Sequence, residues 1–182
     1  MKVANAIVRR ILIETRSSVD IITWDCVKKM KYLGMEIVPL VHPILGVKGQ
    51  EVKPMGMIHL PLRFGDKAKV RTLEVDFLVV DVPIAYSIIL GRPTLHKIKA
   101  IIAPYLLQLQ FEADDGSVGT KPGDQQTTQE CYLISIHPSL LCGRHPVPKS
   151  LRAPERTRHS PRVPTYSPGP RPWSTSLLWP PP

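Results

Sequence analysis

Five consecutive positions, Glu14-Thr15-Arg16-Ser17-Ser18, crowd a carboxylate, three hydroxyls and a guanidinium directly behind the apolar run Ile11-Leu12-Ile13. A carboxylate on a short loop is equipped for acid–base chemistry, and the hydroxyls beside it for fixing the loop by hydrogen bonds. The other candidates are weaker. His42, His59, His96, His137, His145 and His159 form neither an HExxH pattern nor a Cys/His metal spacing, so no metal site is read from them. Ser17 and Ser18 lack the G-x-S-x-G setting of a serine nucleophile. Gly46-Val47-Lys48-Gly49 lacks the eight-residue phosphate-loop pattern. Asp25, Asp76 and Asp81 are further carboxylates, but Asp76 falls between strand positions and Asp81 at a turn, where structural roles suit them. No cofactor is implied.

The surrounding pattern reads as mainly β. Ile7-Val8 and Ile11-Leu12-Ile13 flank Arg9-Arg10 as a short extended run entering the Glu14 loop. Ser18 or Asp20 is placed to cap a helix carrying Ile21, Ile22, Trp24, Val27 and Met30, which Gly34 closes. Val38 to Leu45, interrupted by Pro39 and Pro43, reads as an edge strand. Gly46-Val47-Lys48-Gly49-Gln50 is a hairpin turn. Ile58, Leu60, Leu62 and Phe64 alternate, and a turn at Gly65-Asp66 leads to a second strand with Leu73, Val75, Phe77 and Val79 on one face. The run Phe77-Leu78-Val79-Val80 is apolar on both faces, as in a fully buried strand. Ile88-Ile89-Leu90-Gly91 is another strand. Pro93 opens a short helix through Ile98, and Leu106 to Phe111 alternates again. Thr127 and Glu130 have capping-box spacing for a helix ending at Ile136.

At Pro138 the periodicity stops. Twelve of the 20 prolines lie from there on, with seven Lys or Arg against the single acid Glu155, so this stretch holds six of the nine net positive charges. Residues 138–182 are read as a disordered Pro/Arg-rich tail, with at most a weak attraction for nucleic acid. The three cysteines Cys26, Cys131 and Cys142 make no CxxC pair and, with no secretory apolar segment, fit free thiols in an intracellular, cytoplasmic setting. No run reaches the ~18 apolar residues of a membrane span.

These runs resemble the retropepsin-like aspartic protease domain of gypsy-type LTR retrotransposon gag-pol polyproteins, in its plant form. The resemblance is carried by Val8-Arg9-Arg10-Ile11-Leu12-Ile13, by Trp24-Asp25 with Lys28-Lys29-Met30, by Val75-Asp76-Phe77-Leu78-Val79-Val80 and by Ile89-Leu90-Gly91-Arg92-Pro93-Thr94-Leu95-His96. Gly123-Asp124-Gln125-Gln126 and Glu130-Cys131-Tyr132 match the segment leading toward the reverse transcriptase. It spans residues 4 to 136 and implies a closed retropepsin-like β-barrel, the acid protease fold, with short helices. The domain division that follows is 1–112 for the protease domain, shortened at its start, 113–137 for a linker and short helix, and 138–182 for the tail.

In such a family two carboxylates, one from each subunit of a homodimer, share a proton and hold the attacking water. The resemblance puts Glu14 at the carboxylate position, where the family has Asp. Thr15 takes the loop-locking hydroxyl position and Arg16 the position of the family's glycine. It makes Ile89, Leu90 and Gly91 the strand that supports the loop, and Gly46 and Gly49 part of the flap. The extra methylene of Glu14 displaces the head group, where ~1 Å can cost about 100-fold in rate. A permanent cation at Arg16 favours ionisation of both carboxylates. The implied function is a retrotransposon-derived aspartic protease-like domain that is a catalytically inactive remnant. The alternatives are a weak homodimeric endopeptidase processing a peptide or polyprotein substrate, and a non-enzymatic protein-binding module.

Overall fold

The computed structural model describes residues 1–30, 36–40, 43–45, 51–66 and 69–136. The tip of the hairpin around Gly46 and Gly49, the helix end proposed at Gly34 and the tail from 138 onward lie outside them.

Among the described residues, twelve strands and three α-helices follow in order. The first group is β1 (Lys2–Val3), β2 (Ala6–Ile7), β3 (Ile11–Ile13), β4 (Asp20–Thr23) and α1 (Trp24–Met30). Next come β5 (Ile44–Leu45), β6 (Glu51–Val52), β7 (Gly56–Asp66), β8 (Lys69–Val80), β9 (Ile88–Leu90) and α2 (Arg92–Lys97). The last are β10 (Ile101–Ala103), a single 3₁₀ turn at Pro104–Leu106, β11 (Gln108–Glu112), β12 (Val118–Pro122) and α3 (Gln125–Ile136).

Seven strands form one sheet in the order β2-β1-β7-β8-β4-β9-β3, curled into a half-barrel with β2 and β3 at its edges. It is the mainly β architecture with short helices expected above. The alternation read in β7 is realised: Ile58, Leu60, Leu62 and Phe64 are buried against Val75 and Phe77 of β8. All four residues Phe77 to Val80 are buried, because β8 lies between β7 and the parallel strand β4. A second sheet, β10-β11-β12, turns one face inward. There Phe111 meets Phe64 edge-on, with ring centroids 4.7 Å apart at 84°, a favoured aromatic geometry. Gly119 lies under that ring, where a Cβ would come within 2.3 Å of Phe111.

Four readings are corrected. Ile21 and Ile22 belong to strand β4, not to a helix, because β4 is a central strand flanked by β8 and β9. The helix starts only at Trp24, and its cap is Thr23, whose Oγ1 accepts the Cys26 N–H at 3.4 Å; Ser18 and Asp20 do not cap it. The α3 helix begins at Gln125 and is capped by Asp124, whose carboxylate accepts the backbone N–H and hydroxyl of Thr127, both at 2.9 Å. Finally, strands β10 and β12 had no counterpart in the sequence reading. The hairpin arms, by contrast, are present: Ile44 pairs with Val52 and Leu45 with Glu51. Val38 makes an isolated bridge to Met57.

Candidate functional site

β3 delivers the chain to Glu14. It runs parallel to β9, with Ile13 opposite Leu90, and the Glu14 N–H donates to the Leu90 carbonyl at 2.9 Å. The loop then folds on itself. Arg16 N–H donates to Glu14 Oε1 at 2.9 Å, and Ser17 N–H to the Glu14 carbonyl at 3.2 Å. The carboxylate thus accepts from the backbone two residues on, the bond an aspartate makes in an Asx turn, with one more methylene in between. Thr15 and Arg16 face solvent. Arg16 has no left-handed backbone, so the loop carries its side chain without strain in φ.

Below the tip the packing becomes tight and polar. Ser17 Oγ donates to the Val19 carbonyl at 2.6 Å. Arg92 clasps the loop from the other side: its N–H donates to the Ser17 carbonyl at 3.0 Å and its Nη1 to the Arg16 carbonyl at 3.4 Å. Gly91 passes so close that a Cβ there would lie 2.3 Å from the Val19 carbonyl oxygen and 2.9 Å from that of Ser17. Glycine is required here for close approach. The centre of this packing is Asp20, only 2% exposed. Its Oδ1 accepts the Gly91 N–H at 2.6 Å and its Oδ2 the Thr94 hydroxyl at 2.8 Å. Burial pushes the Asp20 carboxyl above the ordinary aspartate range. The hydrogen bonds from Thr94 and Gly91, and the charge of Lys97, offset this only in part.

The structure therefore brings Glu14, Thr15, Ile89, Leu90 and Gly91 into one unit, with Ile89 opposite both Leu12 and Ile21. Asp20 was missed as part of it. Its signal was available: a lone acid opening the apolar run Ile21-Ile22 must find partners if that run is buried. The other acids lie elsewhere. Asp25 is exposed and paired with Lys28 at 2.7 Å, and Asp76 lies 2.6 Å from His59 Nδ1 across the β7–β8 ladder. Asp81 is exposed in the loop after β8.

A separate open cavity, about 900 Å³, lies between Arg10, Trp24, Cys26, Tyr86 and Ile134, and Glu14 does not line it. Burial raises the thiols of Cys26 and Cys131 above their usual range, and both are free. Cys131 seats α3 by donating to the Ala85 carbonyl at 3.7 Å. Among the described residues no group of three His, Cys, Asp or Glu could hold a metal ion, and no helix is long and apolar enough to cross a membrane.

Among solved structures the chain is similar to the EIAV protease complexed with the inhibitor HBY-793. The two share 25% identity over 51% of this chain and 79% of that one, with a TM-score of 0.37. No family model matches the chain, and no curated protein matches it.

Proposed function

We propose that this chain is the aspartic-protease-like domain of a gypsy-type retrotransposon polyprotein, with its hydrolytic chemistry disabled at the loop tip. One observation carries the reading: the Glu14 loop is braced by β9, through the Glu14 N–H to the Leu90 carbonyl, and by the close approach of Gly91, while the tip itself carries Glu and Arg. A catalytic carboxylate of this kind must meet its twin across a two-fold axis and share a proton with it. Glu14 instead spends one oxygen on the Arg16 N–H, and each copy adds an uncompensated cation close to the shared site.

The test is peptide cleavage at acidic pH, with pepstatin as the control inhibitor. The wild-type chain is expected to be silent, and the double variant Glu14→Asp/Arg16→Gly to cleave. Cleavage by the wild type that Glu14→Ala abolishes would establish the endopeptidase alternative instead.

A further inference from the structure

The cavity beside Trp24 lies apart from the Glu14 loop, and stretches distant in sequence build it. Its lining falls within residues 6–10, 23–30 and 80–87, with Ile134 of α3. Its volume of about 900 Å³ suits a ligand, since such sites span roughly 300–1,000 Å³. Met30 and Val80 are buried apolar members of the wall, and Trp24 and Tyr86 are half-buried aromatic ones.

Arg9, Arg10, Lys29, Asp25 and Asp81 also line it. The two acids are answered from outside the cavity. Lys28 pairs with Asp25 at 2.7 Å and feels the charge of Asp81. Asp124, which feels the charge of Arg9, is held in the cap of α3 by Thr127. The three cations are exposed, and among the described residues none of them makes an ion pair. Two of them converge on one wall: burial raises the Cys26 thiol, and the charges of Lys29 and Arg10 both oppose it. Arg10 is anchored there. Its φ of 56° is left-handed, which is costly for a side-chain-bearing residue, and its carbonyl accepts the Ser87 N–H at 2.8 Å.

Cations without partners beside aromatic rings match the two halves of a nucleotide. A phosphate takes guanidinium and ammonium donors, and a base offers a flat face to Trp or Tyr. A neutral apolar ligand would leave the cations unanswered, and a duplex keeps its base faces stacked inside. We infer that this cavity holds a nucleotide of a single-stranded nucleic acid, with its base on Trp24 beside Tyr86 and its phosphates on Arg9, Arg10 and Lys29. Lys28 stands 5.9 Å over the Trp24 ring, a place that a flexible, exposed lysine can yield to a base. A strand fits better than a free nucleotide because of where the chain goes next. α3 ends at Ile136, just past the cavity wall at Ile134, and residues 138–182 hold six of the nine net positive charges. A polyanion leaving the cavity gains those charges as well. The inference does not depend on Glu14.

The experiment uses the full chain with Trp173→Phe and Trp179→Phe, which leaves Trp24 as the single tryptophan. Its fluorescence is followed as a strand of about twelve uridines, within the span of such sites, is added at several salt concentrations. Saturable quenching is expected. Adding Arg10→Gln/Lys29→Gln should weaken binding at least about tenfold and lower the salt slope by about 1.4, the share of two phosphate contacts on a single strand. Far-UV circular dichroism should be unchanged, because both side chains are exposed. Binding that leaves Trp24 unquenched would assign the strand to the tail alone and overturn the inference. So would quenching that survives the double variant, or no binding at all. Uridine monophosphate quenching as tightly as the strand would make the ligand a free nucleotide, and equal competition by oligoglutamate an acidic peptide; either result overturns it too.

Discussion

At the tip of the loop Glu14 is half-buried, and Thr15 and Arg16 stand in solvent; a few residues on, Asp20, Gly91 and Thr94 are sealed from it. The brace is over-determined, both Asp20 carboxylate oxygens having short partners and glycine being the only residue that fits at position 91. The tip is held by the Arg16 and Ser17 N–H bonds to Glu14 and by the clasp of Arg92, and it carries a bulky cation in solvent. On the proposed function, stability and chemistry are thus held in different residues of one motif. On that reading a chain can lose the second while keeping the first, since the side chains of Thr15 and Arg16 stand in solvent.

The sharpest way to break this contrast is at Gly91. In Gly91→Ala the new methyl would sit against two backbone carbonyl oxygens, which cannot swing aside as a side chain would. A loss of about 3 kcal/mol is expected, read as a lower urea midpoint at unchanged slope. A loss too small to measure would mean that the loop is free to move and the brace is not rigid. Asp20→Ala comes next. It leaves the Gly91 N–H and the Thr94 hydroxyl unpaired in a dry site, for a loss of about 2 kcal/mol.

Asp20 also gives the contrast a pH signature. Its carboxyl binds a proton more tightly folded than unfolded, so the stability it contributes is fully present below the unfolded value near 3.8 and is lost as pH rises through the raised folded value. Asp20→Asn removes that titration. The wild type's advantage over Asp20→Asn should therefore be larger at pH 4 than at pH 7. Paired urea melts at the two values measure it, and a gap that widens toward neutrality would show that the hydrogen bonds, not burial, dominate the site.

How much of this could be read beforehand follows the same division. The long strands announced themselves because each buries one face, and Ile58 to Phe64 can alternate only as a strand. Ile21-Ile22 misled because two apolar residues ahead of Trp24, Val27 and Met30 extend a helical spacing by chance, and only the neighbouring strands β8 and β9 decide the matter. β12 is built from residues poor in strand preference, Gly119 and Pro122 among them. It exists because β11 supplies a ladder and Phe111 needs a bare backbone beneath its ring. The Glu14 loop was legible as a motif. Asp20 was not, because a single acid near a loop has the pattern of a helix cap, and its true partners lie 71 and 74 positions away.

The smallest stability effect is expected at the tip itself, and it carries the most weight for function. Glu14→Asp keeps a carboxylate able to accept the Arg16 N–H, since aspartate makes that bond with its shorter arm. Arg16→Gly removes an exposed side chain and costs chiefly the added freedom of the unfolded chain, about 0.5–1 kcal/mol. The pair should therefore change the stability read from urea melts by no more than about 1 kcal/mol, less than either brace variant, while, on the proposed function, giving a cleavage that the wild type lacks. Should the pair instead destabilise the fold as much as Gly91→Ala does, Glu and Arg at the tip would be structural members, and the separation of brace from chemistry would fail.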